Sequence, residues 1–187
     1  MVSMVQRMGQ SLNVAGVSQF VRSAWSEPSS TLPHMDVASL STVDWAELWS
    51  KGFRACVFDK DNTLTLPYSL EIHPDVADSL AQCLKIFQNR VVLFSNSAGL
   101  AQFDPDGIEA KLLEDALHIP VLRHEEKKPA GGVAELEQHF GVPAEAMIMV
   151  GDRYLTDVAF GNRHGMLTIR PRPFSTDDET VTVRLVR

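Results

Sequence analysis

With 187 residues, 44% of them hydrophobic, and a formal net charge of −7, the chain has the size and composition of one globular domain with a sizeable core. That charge, without any long basic run, argues against a general nucleic-acid binder, while leaving room for a local basic pocket. The two cysteines, Cys56 and Cys83, are too few for a disulfide framework or a zinc cluster and read as buried thiols in a reducing compartment. No stretch of about 20 apolar residues is present, so the sequence predicts no transmembrane helix.

Residues 1–33 read as a targeting or membrane-associating segment followed by a linker. Met1 to Trp25 contains Arg7 and Arg22, and the first acidic residue is Glu27. That is the composition of an organelle transit peptide. Val14, Val17, Val21 and Ala24, with Phe20 and Trp25 beside them, share a helical face that suits a membrane interface. A helix docked on the domain and a disordered leader are equally compatible with it. Glu27 to Pro33 is a linker by composition, and residues 34–187 follow as a single domain. Its first element is a short helix over Thr42 to Trp49, capped by Asp44 or Thr42, with Trp45, Leu48 and Trp49 packed on one side.

From Phe53 onward short apolar runs alternate with amphipathic segments. The runs are Ala55 to Phe58, Arg90 to Phe94, Ile119 to Leu122, Ala146 to Val150 and Met166 to Ile169, and each has the character of a strand buried on both faces. The helices between them are expected to bury Ala77, Leu80, Leu84 and Phe87; then Ile108, Leu112 and Ala116; then Val133, Leu136 and Phe140; then Leu155, Val158 and Ala159. Such alternation predicts an α/β fold with a central parallel sheet covered by helices.

Polar groups recur where the runs end. Asp59 and Asp61, in Asp59-Lys60-Asp61-Asn62-Thr63, close the first. An unpaired buried carboxylate costs several kcal/mol, so both belong where the strand opens into a loop, at the ligand-binding edge of a parallel sheet. Alternate residues of an extended chain point the same way, so the pair can face one site. A turn or capping cluster explains the pair equally well in isolation. The second run ends in Ser95-Asn96-Ser97-Ala98-Gly99, whose hydroxyl, amide and flexible backbone suit a phosphate, although its turn-forming composition explains it equally well alone. The third leads into Arg123-His124-Glu125-Glu126-Lys127-Lys128-Pro129, where Pro129 fixes the backbone at a helix start and holds Lys128 in a defined place. The fourth ends in Gly151-Asp152-Arg153 with Thr156-Asp157, a second carboxylate pair.

In combination these motifs resemble those of haloacid-dehalogenase-like (HAD) phosphohydrolases. The resemblance implies a HAD-like Rossmannoid three-layer α/β sandwich. It makes Asp59 the nucleophile that accepts the phosphoryl group, and Asp61 the general acid that protonates the leaving alcohol and then the base that activates water. Ser95 would hold a phosphoryl oxygen, and Lys128 would offset charge between nucleophile and phosphate. Mg²⁺ would be held by Asp59, Asp152 and the backbone carbonyl of Asp61, with Asp157 in or next to its shell. The chemistry is consistent: a carboxylate attacking a phosphate dianion needs its repulsion neutralised, and oxygen donors suit a hard cation. Crowding among the carboxylates should favour a proton on the member least engaged by metal, which suits Asp61 to acid duty. Lys127 is the rival to Lys128, and the family's habit of following its lysine with proline favours Lys128. The intervals from Asp61 to Ser95 and from Ser95 to Lys128 each hold about one helix and its loops, leaving no room for a large cap domain.

Asp59 to Thr63, Ser95 to Gly99, Ala110-Lys111-Leu112-Leu113-Glu114-Asp115, Ile119-Pro120-Val121-Leu122-Arg123-His124, Lys127-Lys128-Pro129 and Gly151-Asp152-Arg153 with Thr156-Asp157 together resemble the mitochondrial phosphatidylglycerophosphate phosphatase family. That resemblance covers roughly Phe53 to Ile169. It implies hydrolysis of phosphatidylglycerophosphate to phosphatidylglycerol, the precursor of cardiolipin, by a peripheral enzyme on the matrix side of the inner mitochondrial membrane, or in plastids. Arg123, Lys127 and Arg153 would meet the second anion of this lipid, and His124 the glycerol hydroxyl. Membrane contact is expected from the Val14 to Trp25 face and from the tail, through Pro173-Phe174, Arg170, Arg172, Arg184 and Arg187. Thr180 to Val186 alternates like an edge strand. A HAD phosphatase acting on a sugar, nucleotide or protein phosphate is the alternative enzyme. A catalytically silent module is the alternative class, against which the intact set of Asp59, Asp61, Lys128 and Asp152 argues.

Overall fold

Five strands, β1 (Met35–Val37), β2 (Ala55–Phe58), β3 (Val91–Leu93), β4 (Met147–Val150) and β5 (Leu167–Pro171), form one sheet in a computed structural model that describes residues 31–175. They lie in the order β1-β5-β4-β2-β3, and every pairing is parallel. The helices are α1 (Trp45–Ser50), α2 (Pro74–Phe87), α3 (Ile108–Leu117), α4 (Ala134–Phe140) and α5 (Ala159–Arg163). The expected leader helix and the Thr180 to Val186 strand lie outside the described residues.

Alternation along β2 shows how the layers arise. Cys56 and Phe58 point into a core built with Trp45, Leu80, Phe87 and Leu113 from α1, α2 and α3. Ala55 and Val57 point into a second core with Leu136, Phe140 and Phe160 from α4 and α5. A strand whose four side chains are all apolar can sit only between two such layers. This is the three-layer α/β architecture predicted from the sequence, and among the described residues no separate cap domain interrupts it. Because β2 lies between β3 and β4, the chain crosses over β2 after β3. The crevice this leaves at the carboxyl ends of the strands is where open parallel sheets bind ligands.

Three expectations change. Ile119 to Leu122 runs beside β3 but makes only one bridge, Leu93 with Val121. Pro120 has no N–H to continue the ladder. β1 was not expected, because its three residues alternate between half-buried and exposed and follow the linker directly. Third, two helices are rotated from their expected faces. α2 buries Val76, Leu80, Cys83 and Phe87 and leaves Ala77 exposed. α3 buries Ala110, Leu113 and Leu117 and exposes Ile108 and Leu112.

The rotation of α3 has a local cause. Its N-cap, Gly107, offers no side chain, and the buried carboxylate of Asp104 does the capping instead. Asp104 Oδ1 accepts from the Glu109 amide at 3.0 Å, and Oδ2 accepts from the Ala110 amide at 2.9 Å and from Gly99 at 3.0 Å. These bonds turn Ala110 inward and tie α3 to the Ser95 to Gly99 turn. Asp104→Ala strands three amides, two of them buried, and is expected to lower stability by about 2–4 kcal/mol in urea unfolding.

Candidate active site

The two neighbouring strands β2 and β4 end level with each other, since the Asp59 amide donates to the Val150 carbonyl at 2.8 Å. Each then delivers a carboxylate, Asp59 from β2 and Asp152 from β4. On the other side of β2, the Phe94 amide donates to the Phe58 carbonyl at 2.8 Å, so Ser95 leaves β3 beside Asp59. Asp157 comes from a π-helical turn, Tyr154–Val158, that leads into α5. It lies so close to Gly151 that a Cβ there would collide with its carboxylate. Asp59, Asp152 and Asp157 each offer an oxygen within 4.8 Å of the others.

Lys128 sits against this cluster. Its Nζ donates to Asp157 Oδ1 at 2.6 Å and to Asp59 Oδ1 at 2.9 Å, with the side chain 1% exposed. Burial alone would lower the pKa of the ammonium, but Asp157 and Asp59 outweigh it and hold Lys128 above its ordinary value. For Asp157 the balance is reversed. Burial pushes its carboxyl up, and Lys128 only partly offsets that. Three carboxylates converging from separate elements suit a hard divalent cation.

Asp61 stands outside the cluster. Its Oδ1 is paired with the buried Lys60 ammonium and accepts the Tyr68 amide at 3.1 Å. Its direct charged partner is therefore an ammonium. Lys60 itself was missed in the sequence, where its only mark is its position between two aspartates.

Several residues expected at the substrate make contacts within the protein. Asn96 grips the backbone of Lys128 from both sides, accepting from its amide at 2.8 Å and donating to its carbonyl at 3.2 Å. His124 is buried with Nε2 at 2.9 Å from the Ser95 carbonyl and Nδ1 at 2.8 Å from that of Glu126. Burial lowers its pKa, and the neutral ring can donate to only one of these carbonyls. Its one N–H is thus committed to a backbone carbonyl. Arg123 donates to the Gly107 carbonyl at 3.0 Å and pairs with Asp104, fastening the start of α3. Lys127 lies over the Phe103 ring at 4.3 Å, and burial lowers its pKa. Arg170 is likewise committed: it pairs with Asp36 at 3.0 Å and donates to the Asp152 carbonyl at 3.0 Å. Arg153 differs from these. Burial opposes its charge, but Asp152, Asp59, Asp157 and Asp61 outweigh burial and raise its pKa, and its buried Nε meets no hydrogen-bond acceptor among the described residues. An open hollow of about 490 Å³ is lined by Gly99, Asp104, Gly107, Arg123, His124 and Glu135 among others, and none of the clustered carboxylates lines it.

A parallel α/β sheet with two carboxylate-bearing strand ends, a buried lysine bridging Asp59 and Asp157 and a serine turn alongside is the arrangement that the resemblance to HAD-like phosphohydrolases implies. The chain belongs to the family described as mitochondrial PGP phosphatase, whose profile matches residues 14–173. It is 55% identical over 97% of its length to the chloroplastic phosphatidylglycerophosphate phosphatase 1 of Chlamydomonas reinhardtii, spanning 67% of that protein. It is 46% identical over 96% of its length to the chloroplastic/mitochondrial phosphatidylglycerophosphate phosphatase 1 of Arabidopsis thaliana, spanning 52% of it. A mitochondrial phosphatidylglycerophosphatase of Saccharomyces cerevisiae is 38% identical over 61% of this chain and 64% of its own length.

Proposed function

We propose that this chain is a Mg²⁺-dependent phosphatidylglycerophosphatase that works through an aspartyl-phosphate intermediate in a mitochondrion or plastid. Family membership supports the substrate. The observation that carries the chemistry is the Lys128 ammonium bridging Asp59 and Asp157 next to Asp152. Asp59, Asp152 and Asp157 would hold the cation, helped by the carbonyl of Asp61. When bound, Mg²⁺ supplies positive charge against the phosphate oxygens.

The chain's own residues account for the remaining steps. Asp59 attacks phosphorus while Lys128 offsets the repulsion between carboxylate and phosphate. The P–O bond to the glycerol breaks, and a proton from Asp61 goes to the departing oxygen. Asp61 next takes a proton from water, whose oxygen attacks the same phosphorus and frees Asp59 and inorganic phosphate. Ser95, emerging beside Asp59, holds a non-bridging oxygen. Arg153, whose buried Nε meets no acceptor among the described residues, is proposed to meet the lipid's phosphodiester. Among the described residues no helix is long and apolar enough to cross a membrane. Given its lipid substrate, the enzyme is proposed to work at the bilayer surface. Matrix-side attachment to the inner membrane is the proposed setting in mitochondria.

Phosphate release from phosphatidylglycerophosphate vesicles is expected to exceed that from glycerol 3-phosphate or p-nitrophenyl phosphate by about tenfold or more in kcat/KM. A chelator should abolish it and Mg²⁺ restore it. Equal or lower efficiency on the lipid would assign the site to soluble phosphate esters instead.

A further inference from the structure

Few large apolar side chains are exposed among the described residues, and Leu66, Tyr68 and Leu70, at 43%, 61% and 40%, stand within one stretch. That stretch, Leu66-Pro67-Tyr68-Ser69-Leu70, contains no charged residue. It forms the tip of the loop that leaves Asp61 and returns to the start of α2.

The loop is held at its base. Thr65 bridges both Asp61 and Ile72, and the His73 amide donates to the Leu64 carbonyl at 2.8 Å. The His73 ring stacks on Phe174 at 4.0 Å, and the Ser175 amide donates to Asn62 Oδ1 at 3.1 Å. The tip is closed by the Ser69 amide on the Leu66 carbonyl at 3.1 Å. Tyr68 adopts φ 61°, a strained conformation for an aromatic residue, while its amide donates to Asp61. The leucines are thus presented outward on a fixed base, joined by a direct hydrogen bond to the proposed general acid.

We infer that this tip is the surface on which the enzyme sits on a phospholipid bilayer. Leu66 and Leu70 enter the boundary of the acyl region, and Tyr68 lies at the level of the head groups, where an amphipathic ring is favoured. The inference rests on the lipid-substrate reading. Its occupant follows from position: a substrate anchored by acyl chains brings its bilayer to the rim of whichever site cleaves its head group. The tip forms that rim, one hydrogen bond from Asp61. A protein seated there would shut the lipid out.

The test uses the full chain with Leu66→Ser and Leu70→Ser combined. Its substrates are phosphatidylglycerophosphate in phosphatidylcholine vesicles and a short-chain phosphatidylglycerophosphate kept monomeric. Turnover on vesicles and flotation with them are expected to fall by about tenfold or more, and turnover on the monomeric lipid to stay within about twofold of wild type. Equal loss on both substrates, undiminished vesicle turnover, or a change of oligomeric state by light scattering overturns the inference. If the double variant does not fold, Leu70→Trp provides the opposite sign. It should strengthen flotation, and unchanged or weaker flotation refutes the assignment. Wild-type protein that cleaves neither form of the lipid defeats the substrate reading alone, and the flotation comparison still decides the docking surface.

Discussion

Asp59→Asn leaves a folded protein whose kcat on phosphatidylglycerophosphate is lower by about 10⁴-fold or more. The amide has nearly the same volume as the carboxylate, and Lys128 keeps its shorter contact, at 2.6 Å to Asp157, so the fold has little to lose. What disappears is the nucleophile. A neutral amide does not attack phosphorus to give a stable acyl phosphate, and no other carboxylate follows β2 at its meeting point with β4. The charge removed also repelled the substrate, so KM is expected not to rise when Mg²⁺ is saturating. Asp61→Asn separates the two roles, because the amide can neither give nor take the proton while Asp59 still attacks. With ³²P-labelled lipid and an acid quench, wild type should show transient label on the protein and Asp59→Asn none. Asp61→Asn should show label that turns over slowly. Wild-type turnover in Asp59→Asn would remove Asp59 from the reaction.

How much of this could be read in the sequence depended on whether a residue's role is set by its position along the chain or by its direction in space. Asp59, Ser95, Lys128 and Asp152 each follow an apolar run, and the parallel sheet brings the ends of such runs together, so their convergence was legible. Asn96 and His124 sit in the same loops with the same polarity. Nothing in their spacing says that an amide turns back to grip Lys128 or that an imidazole lies between two carbonyls. On α3 the spacing allows two apolar stripes, Ile108-Leu112-Ala116 and Ala110-Leu113-Leu117. The choice between them is made by Asp104, outside the helix. The exposed Ile108 and Leu112 are the stripe that the periodicity wrongly assigned to the core. The tip around Tyr68 was passed over because a short apolar stretch between turn residues has no period to distinguish exposure from burial.

Lys128→Met tests whether the buried lysine is structural as well as catalytic. It leaves Asp157, 1% exposed, and Asp59 without their shared ammonium. Breaking a buried pair by removing one partner typically costs about 3–5 kcal/mol, because the remaining charge stays buried. For a domain of this size that is roughly a 10 °C drop in Tm. A divalent cation among the same carboxylates would supply much of the missing charge, so Mg²⁺ should narrow the gap between variant and wild type. The pH dependence has a definite sign. Lys128 is held above its ordinary value, so its contribution is fully present below that value and is lost only as pH climbs through the raised one. Wild type should therefore show no change from this group across neutral pH. Burial already pushes the Asp157 carboxyl up. Without Lys128 the ionised form becomes costlier still, a penalty fully present above its folded value and relieved as pH falls through it. Urea unfolding of both proteins at about pH 7.5 and 5.5, with and without Mg²⁺, should show the largest gap at the higher pH in chelator and the smallest at the lower pH with metal. An equal gap under all conditions would mean that Lys128 acts through its packing over the Phe94 ring, 5.1 Å away, and not through its charge.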